Sequence, residues 1–168
     1  TQTIAIGYQS GLGSSGNNNV YLGSYAGQKC TGYSNIAIGD NNSDSKFVGN
    51  WNTFIGAGSA GNLVVGENNV AIGRNCLYHC TGSSNVAIGF NVAQRVEGDG
   101  NICIGEEAGV SSNGNHNVFI GNIAGYEITG DNNICIGTSC GQENTVSNSV
   151  YMNFATTNYS LTDGQVLI

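Results

Sequence analysis

The stretch that decides the fold is Asn117-Val118-Phe119-Ile120-Gly121-Asn122-Ile123-Ala124-Gly125, because its pattern recurs along almost the whole chain. Close copies of its first five residues stand at 19–23, 35–39, 52–56, 69–73, 85–89, 101–105 and 133–137, and copies with one anchor replaced stand at 3–7 and 149–153. The copies follow a 16-residue period, and two of the steps are longer by one residue. A fixed period this short predicts a stacked solenoid rather than a globular core.

Each five-residue copy has the composition of a β-strand that is apolar on both faces. In Asn85-Val86-Ala87-Ile88-Gly89, Val86 and Ile88 point to one face and Ala87 points to the other. A strand with water on one side alternates apolar with polar residues, so this strand is predicted to be buried on two sides. The interior of a coil covers only one of them. The other face needs a neighbour, and a second copy of the same chain is the simplest one.

The rest of each coil predicts two corners and a second strand. Paired glycines such as Gly105 and Gly109 permit positive φ at the bends of the first corner. A more polar second strand is expected after it, for example at 77–80 or 126–129. The asparagine that opens each copy recurs at one place in the coil. Stacked asparagines are expected to form a ladder, in which each amide bonds to backbone groups or neighbouring amides along the rod.

The composition excludes several classes of function. Charged residues make up 9% of the chain, far below the ~25% typical of soluble domains, which suits an exposed fibre better than a cytosolic enzyme. Four basic residues against eleven acidic ones leave no basic stripe, so nucleic-acid binding is not expected. No run approaches the ~18 apolar residues of a membrane span, so membrane insertion is not expected.

The six cysteines do not have the spacing of disulfide partners or of a metal site. Cys103 and Cys135 occupy the same strand position two coils apart, which places them ~9.6 Å from each other, too far for a disulfide. Cys76 and Cys140 lie three residues past a closing glycine, where several coils carry alanine. We predict that all six are small, buried, reduced side chains. The C-x-x-C pattern of a metal site is absent.

The recurrent Asn-x-Ala-Ile-Gly-x-x-Ala-Gly pattern resembles the repeats of the left-handed parallel β-roll in trimeric autotransporter adhesin heads. It resembles more closely the 16-residue repeats in tail-fibre and collar-like proteins of bacteriophages and large algal DNA viruses. The resemblance covers about residues 1–153. It implies an all-β, left-handed parallel β-roll (a β-solenoid) of about ten 16-residue coils, assembled as a homotrimer. Residues 154–168 lack the motif and are expected to form a C-terminal cap or crossover segment.

The same resemblance implies a structural role in a virion tail or surface fibre that contributes to host attachment. The protein is then expected at the virion surface, outside the cell. Its implied partners are other virion fibre or baseplate proteins and a host cell-surface glycan or protein receptor. The alternatives are the head of a bacterial trimeric autotransporter adhesin, a tailspike-type polysaccharide depolymerase, and a purely structural spacer.

Residues with catalytic chemistry are few and poorly placed. Glu106 and Glu107 are adjacent, so in an extended chain they point to opposite faces and cannot flank one substrate. His79 and His116 have no Ser, Cys or carboxylate at a matching position of the repeat. We therefore predict a protein that is not an enzyme and that has no catalytic residue, metal site or cofactor.

Two sets of residues are candidates for binding. Aromatic rings at a surface stack on sugars or dock on proteins, and the candidates for receptor contact are Trp51, Tyr8, Tyr25, Tyr33, Phe90 and Tyr126. The candidates for the trimer interface are middle residues of the strands, namely Ala37, Ala71, Ala87, Cys103, Phe119 and Cys135. Because both faces of the strand are apolar, these six face either the trimer axis or the interior of the roll.

Overall fold

The computed structural model describes residues 2–43, 47–62, 65–152 and 166–167. Within them, eleven short strands form one sheet in sequence order. They are β1 (Ile4–Ile6), β2 (Val20–Leu22), β3 (Ile36–Ile38), β4 (Thr53–Ile55), β5 (Val70–Ile72), β6 (Val86–Ile88), β7 (Ile102–Ile104), β8 (Val118–Ile120), β9 (Ile134–Ile136), β10 (Val150–Met152) and β11 (Val166–Leu167). Neighbouring strands are parallel and pair at equivalent positions of successive coils, as Ala87 pairs with Cys103. The predicted β-solenoid with its 16-residue period is confirmed.

Strands β1 to β9 are short because a glycine closes each one where the coils stack closely. Gly105, directly after β7, has φ +127°, and a Cβ built on it would lie 2.5 Å from the carbonyl oxygen of Gly121 in the next coil. Any side chain at this place would push the coils apart, and an L-residue would also strain the backbone. The repeated glycine is therefore a requirement of the stacking as well as of the turn.

The predicted second strand is wrong at the residues where we expected it. Residues 77–80 and 126–129 lie in turns and irregular backbone. Leu77 and His79 have φ of 52° and 59°, and this left-handed conformation alternates along the segment, so the chain there cannot be extended. On the side of the coil away from the sheet, isolated parallel bridges join single residues of successive coils at one end of the roll. Each coil thus contains one strand and a series of turns.

The interior of the roll is thin and filled mainly by small side chains. Ala26, Ala108, Ala124, Cys76 and Cys140 are each 0% exposed. All six cysteines are buried and reduced, as predicted. Burial removes the thiolate from water and so raises the pKa of Cys103 well above its usual value.

The predicted asparagine ladder is confirmed and runs along the edge of the sheet. Asn101 donates its backbone N–H to Oδ1 of Asn85 at 2.8 Å and its side-chain Nδ2 to the carbonyl of Gly114 at 3.0 Å. Its Oδ1 accepts the backbone N–H of Asn117 at 2.9 Å. The same bonds recur from Asn19 onward, so each amide satisfies two backbone groups that a turn leaves without partners.

The described sheet extends beyond the predicted end of the repeat at residue 153. In β11, Val166 pairs with Val150, the equivalent residue of the preceding strand. The remainder of the predicted cap or crossover segment, 154–165 and 168, lies outside the described residues. In the described part of the chain, no helix is long and apolar enough to cross a membrane.

Candidate functional site

The outer face of the sheet is an apolar stripe. We define this apolar stripe as the first and third residues of β1 to β10, which are all Val, Ile, Leu or Met except Thr53. Ile72, Ile120 and Ile136 are each 37–38% exposed, whereas Ala71 and Phe119, on the other face of the same strands, are 0% exposed. One chain therefore covers one face of its strands and leaves the other face partly exposed from β1 to β10.

The exposed area of the apolar stripe is large enough to drive association. Full burial of one Val, Leu or Ile side chain contributes ~1.5–3 kcal/mol, so covering roughly a third of each of about twenty stripe residues would stabilise a contact by on the order of 10 kcal/mol per chain. Monomeric proteins rarely leave a continuous apolar surface of this kind in water, and such surfaces mark protein contacts.

The structure corrects the candidates for the trimer interface. Ala37, Ala71, Ala87, Cys103, Phe119 and Cys135 are all 0–2% exposed in the single chain, so they face the interior of the roll. Of the two placements that the sequence left open, the one on the trimer axis is wrong, because a side chain buried within its own chain cannot contact another. The residues available for association are the flanking ones that sequence reasoning did not select, such as Ile72 and Ile120.

In two coils the turn after the closing glycine packs directly on the middle residue of the strand. The fourth residue after the closing glycine is Gly125 in the coil of Phe119 and Gly27 in the coil of Tyr21. A Cβ on Gly125 would lie 2.3 Å from the ring of Phe119, and one on Gly27 would meet the ring of Tyr21 similarly. In β5 the middle residue is alanine and this place holds the larger Leu77, but Ala5 is followed by Gly11 and Ala87 by Ala93. The volumes therefore do not compensate in every coil, and the sequence alone does not reveal that the two positions touch inside the roll.

The receptor-contact candidates do not form one cluster, because they lie on two different edges of the coil. Tyr8, Tyr25, Phe90 and Tyr126 belong to the turns that follow the strands, and Tyr33 and Trp51 belong to the turns that precede them. Each edge therefore has to be considered as a separate surface.

The edge that precedes the strands carries an exposed aromatic pair. Trp51 is 50% exposed and Tyr33 is 45% exposed, and their rings meet edge to face with centroids 5.2 Å apart. Trp51 has φ +55°, a conformation that costs ~1–2 kcal/mol for most L-residues. Serine or asparagine stands at the same place in several other coils, for example Ser84 and Asn68. The left-handed φ recurs at this place, with 61° at Ser84 and 59° at Asn68, so the conformation belongs to the repeat and tryptophan is an unusual residue to carry it.

The edge that follows the strands carries rings that also contact aromatic or charged neighbours. Tyr8 and Tyr25 meet edge to face with centroids 5.4 Å apart. The guanidinium of Arg74 lies 5.7 Å from the ring centre of Phe90. The charge of Glu127 raises the pKa of Tyr126 above its usual value, because it opposes formation of the phenolate. These rings are accessible, and Tyr8 is 64% exposed, so they remain candidates beside Trp51.

Groups with catalytic or ligating chemistry are dispersed over the described residues. His79 contacts the ring of Tyr78 edge to face at 4.5 Å, and its Nε2 is 3.5 Å from Nδ2 of Asn62. Within the described ranges, no three His, Cys, Asp or Glu side chains are placed to hold a metal ion.

The geometry of the stripe and of the aromatic pair is the main guide to function. Comparison of the chain with protein-family models, with characterised proteins and with solved structures gives no match.

Proposed function

We propose that this chain is one subunit of a homotrimeric, left-handed β-roll that forms part of a virion fibre and contributes to host attachment. The observation that carries the proposal is the apolar stripe, which a single chain leaves partly exposed from β1 to β10. Its partners are two further copies of the chain, neighbouring fibre proteins of the virion, and a receptor on the host surface.

The shape of the stripe supports a parallel, cyclic assembly. Its first column consists of the residues before the middle residue of each strand, and its second column consists of the residues after it. Both columns run along the sheet, with coils ~4.8 Å apart. When three rods lie side by side around an axis, the first column of one chain meets the second column of the next, and every coil makes the same contact. The resemblance of the repeat to trimeric fibres supports three copies rather than two.

The assembly is tested by the mass of the protein in solution. We expect light scattering to give about three times the 17.3 kDa of the chain. Ile120→Glu places a charge within the apolar stripe, on strand β8 of every chain, and it is expected to shift the mass toward 17.3 kDa. Thr138→Glu adds the same charge at an exposed residue outside the stripe and serves as the matched control. A monomeric parent protein, or an Ile120→Glu variant that keeps its circular dichroism spectrum and its trimer mass, would refute the proposed assembly.

Attachment is tested separately at the aromatic pair. Trp51→Ser installs the residue that Ser34 and Ser84 provide in other coils, so the fold and the trimer mass are expected to persist. Binding of the fluorescently labelled protein to host cells is expected to fall at least tenfold, as at a binding hot spot centred on one tryptophan. Ser84→Asn, at the same place in another coil and outside the aromatic candidates, is the control. Undiminished cell binding by Trp51→Ser would remove this residue from the receptor-contact surface.

A further inference from the structure

One coil lacks side chains that its neighbours carry on the edge that follows the strands. In the coil that follows β4, the first, second and fifth residues after the closing glycine are Ala57, Gly58 and Gly61. Every other coil has a side chain at the second and fifth of these positions. Because side chains at one position stack in columns along a solenoid, a coil with three small residues leaves a gap in three adjacent columns.

The gap is a cavity of about 290 Å³, which we call the notch. It is lined by Ala57, Gly58 and Gly61 and by residues of the two flanking coils, Asp40, Asn41, Arg74, Asn75 and Tyr78. A Cβ built on Gly58 would lie 2.6 Å from Oδ1 of Asn75, and one on Gly61 would lie 2.8 Å from the ring of Tyr78. The amide and the ring therefore extend into space that a normal coil would fill. The notch exists because these two glycines are present.

Several polar groups of the notch contact an adjacent residue or a neighbouring coil. Asn75 donates Nδ2 to Oδ1 of Asn91 at 3.1 Å, so its Oδ1 is the atom that faces Gly58. Asn41 donates Nδ2 to Oδ2 of Asp40 at 3.2 Å. The guanidinium of Arg74 is held against the ring of Phe90. Groups that are ordered before a ligand arrives lose less entropy on binding it.

The chemistry of the notch matches a neutral ligand with many hydroxyl groups. Asp40 supplies acceptors, Arg74 supplies donors, and the Asn75 amide supplies a further acceptor, while the Tyr78 ring supplies an apolar surface. One carboxylate and one guanidinium leave no net charge, and the −7 charge of the chain disfavours anions. A pyranose ring combines hydroxyls that both donate and accept with an apolar C–H face. The volume suits one or two such rings.

We propose that the notch binds a neutral hexose unit of a glycan. The proposal rests on the attachment role above and names the ligand class for it. The notch shares no residue with the apolar stripe or with the Trp51 and Tyr33 pair, so sugar binding, assembly and the aromatic contact can each be altered alone.

The experiment is saturation-transfer NMR of the purified protein with methyl glycosides of glucose, galactose, mannose and a hexuronic acid. We expect at least one neutral glycoside to bind with a Kd of about 1 mM, which is usual for a ligand of roughly a dozen heavy atoms. Gly58→Asn fills the notch with the residue that stands at the same position in both flanking coils, at a φ of +64° that asparagine tolerates. It is expected to weaken binding at least tenfold. Ser139→Asn introduces the same residue at the second position of a distant coil and is expected to change nothing.

Three results would overturn the proposal: no binding of any neutral glycoside, binding of the hexuronate alone, or unchanged binding by Gly58→Asn. Light scattering and cell binding on the same samples separate this outcome from that of the proposed function. A trimer that attaches to cells but binds no neutral sugar refutes the notch alone. A monomer that binds sugar and loses it in Gly58→Asn refutes the assembly alone.

Discussion

Removal of one rung of the asparagine ladder is the sharpest test of what holds the coils together. In Asn101→Ala, the carbonyl of Gly114 loses its donor and the backbone N–H of Asn117 loses its acceptor. Asn117 is 0% exposed, so its N–H is left buried without a partner. Each such loss costs ~1–3 kcal/mol, and the two together are expected to lower the free energy of unfolding by about 3 kcal/mol per chain.

The measurement is unfolding in guanidinium chloride followed by circular dichroism, at one protein concentration for all variants because unfolding of an oligomer depends on concentration. Asn122→Ala is the matched control, since Asn122 is only partly buried and its amide makes one long contact, 3.4 Å to Glu106. It is expected to change stability by no more than ~0.5 kcal/mol. If Asn101→Ala and Asn122→Ala have equal effects, the ladder does not stabilise the roll.

Three further changes test the stacking, the backbone strain and the buried thiols. Gly105→Ala forces a Cβ to within 2.5 Å of the Gly121 carbonyl at a φ of +127°. We therefore expect the free energy of unfolding to fall by more than ~3 kcal/mol in the same assay, and a fall of less than ~1 kcal/mol would contradict the close approach. Ile123 has φ +56°. Ile123→Asn is expected to raise the free energy of unfolding by ~0.5–1 kcal/mol, because asparagine tolerates this conformation. A lower free energy of unfolding would show that side-chain packing outweighs strain. Burial raises the pKa of Cys80 from 9.0 to about 12. Between these pH values only the unfolded state loses the thiol proton. The free energy of unfolding therefore falls as pH rises, by up to ~1.4 kcal/mol per pH unit for this thiol. Cys80→Ala, measured by denaturation from pH 8 to 11, should reduce that slope.

The repeat made the coil predictable, whereas the second strand was predicted wrongly. Parallel pairing in register follows from the nearly constant spacing of the copies, because equivalent residues of successive coils must meet. Leu77 and His79 have ordinary side chains for an extended chain, and nothing in them signals left-handed φ. Their conformation results from the turns that close the coil, and these turns depend on contacts with the coils above and below. The ladder, in contrast, needed only one asparagine per coil at a constant place.

Among the residues of the candidate sites, some were evident from the sequence and others only from the structure. The aromatic residues were evident from the sequence, and Trp51 remains a prediction for receptor contact that is consistent with its exposure. Tyr78 was missed, because its importance comes from Gly61 in the coil before it. The notch depends on the lateral alignment of three coils, which becomes visible only when the positions of each coil are compared column by column.

The sequence alone determined the length of the coil, the parallel order of the strands and the asparagine ladder, since these depend on spacing and on hydrogen bonds between identical positions. Only the tertiary structure decided which face of the strand is inside. Ala87 and Ile88 are both apolar, so burial by itself is satisfied either way. The choice is made by the turns after the glycine, which curl over the middle residue and leave Val86 and Ile88 on the outside. The residues that remain available for the proposed interface are therefore the immediate neighbours of the predicted ones.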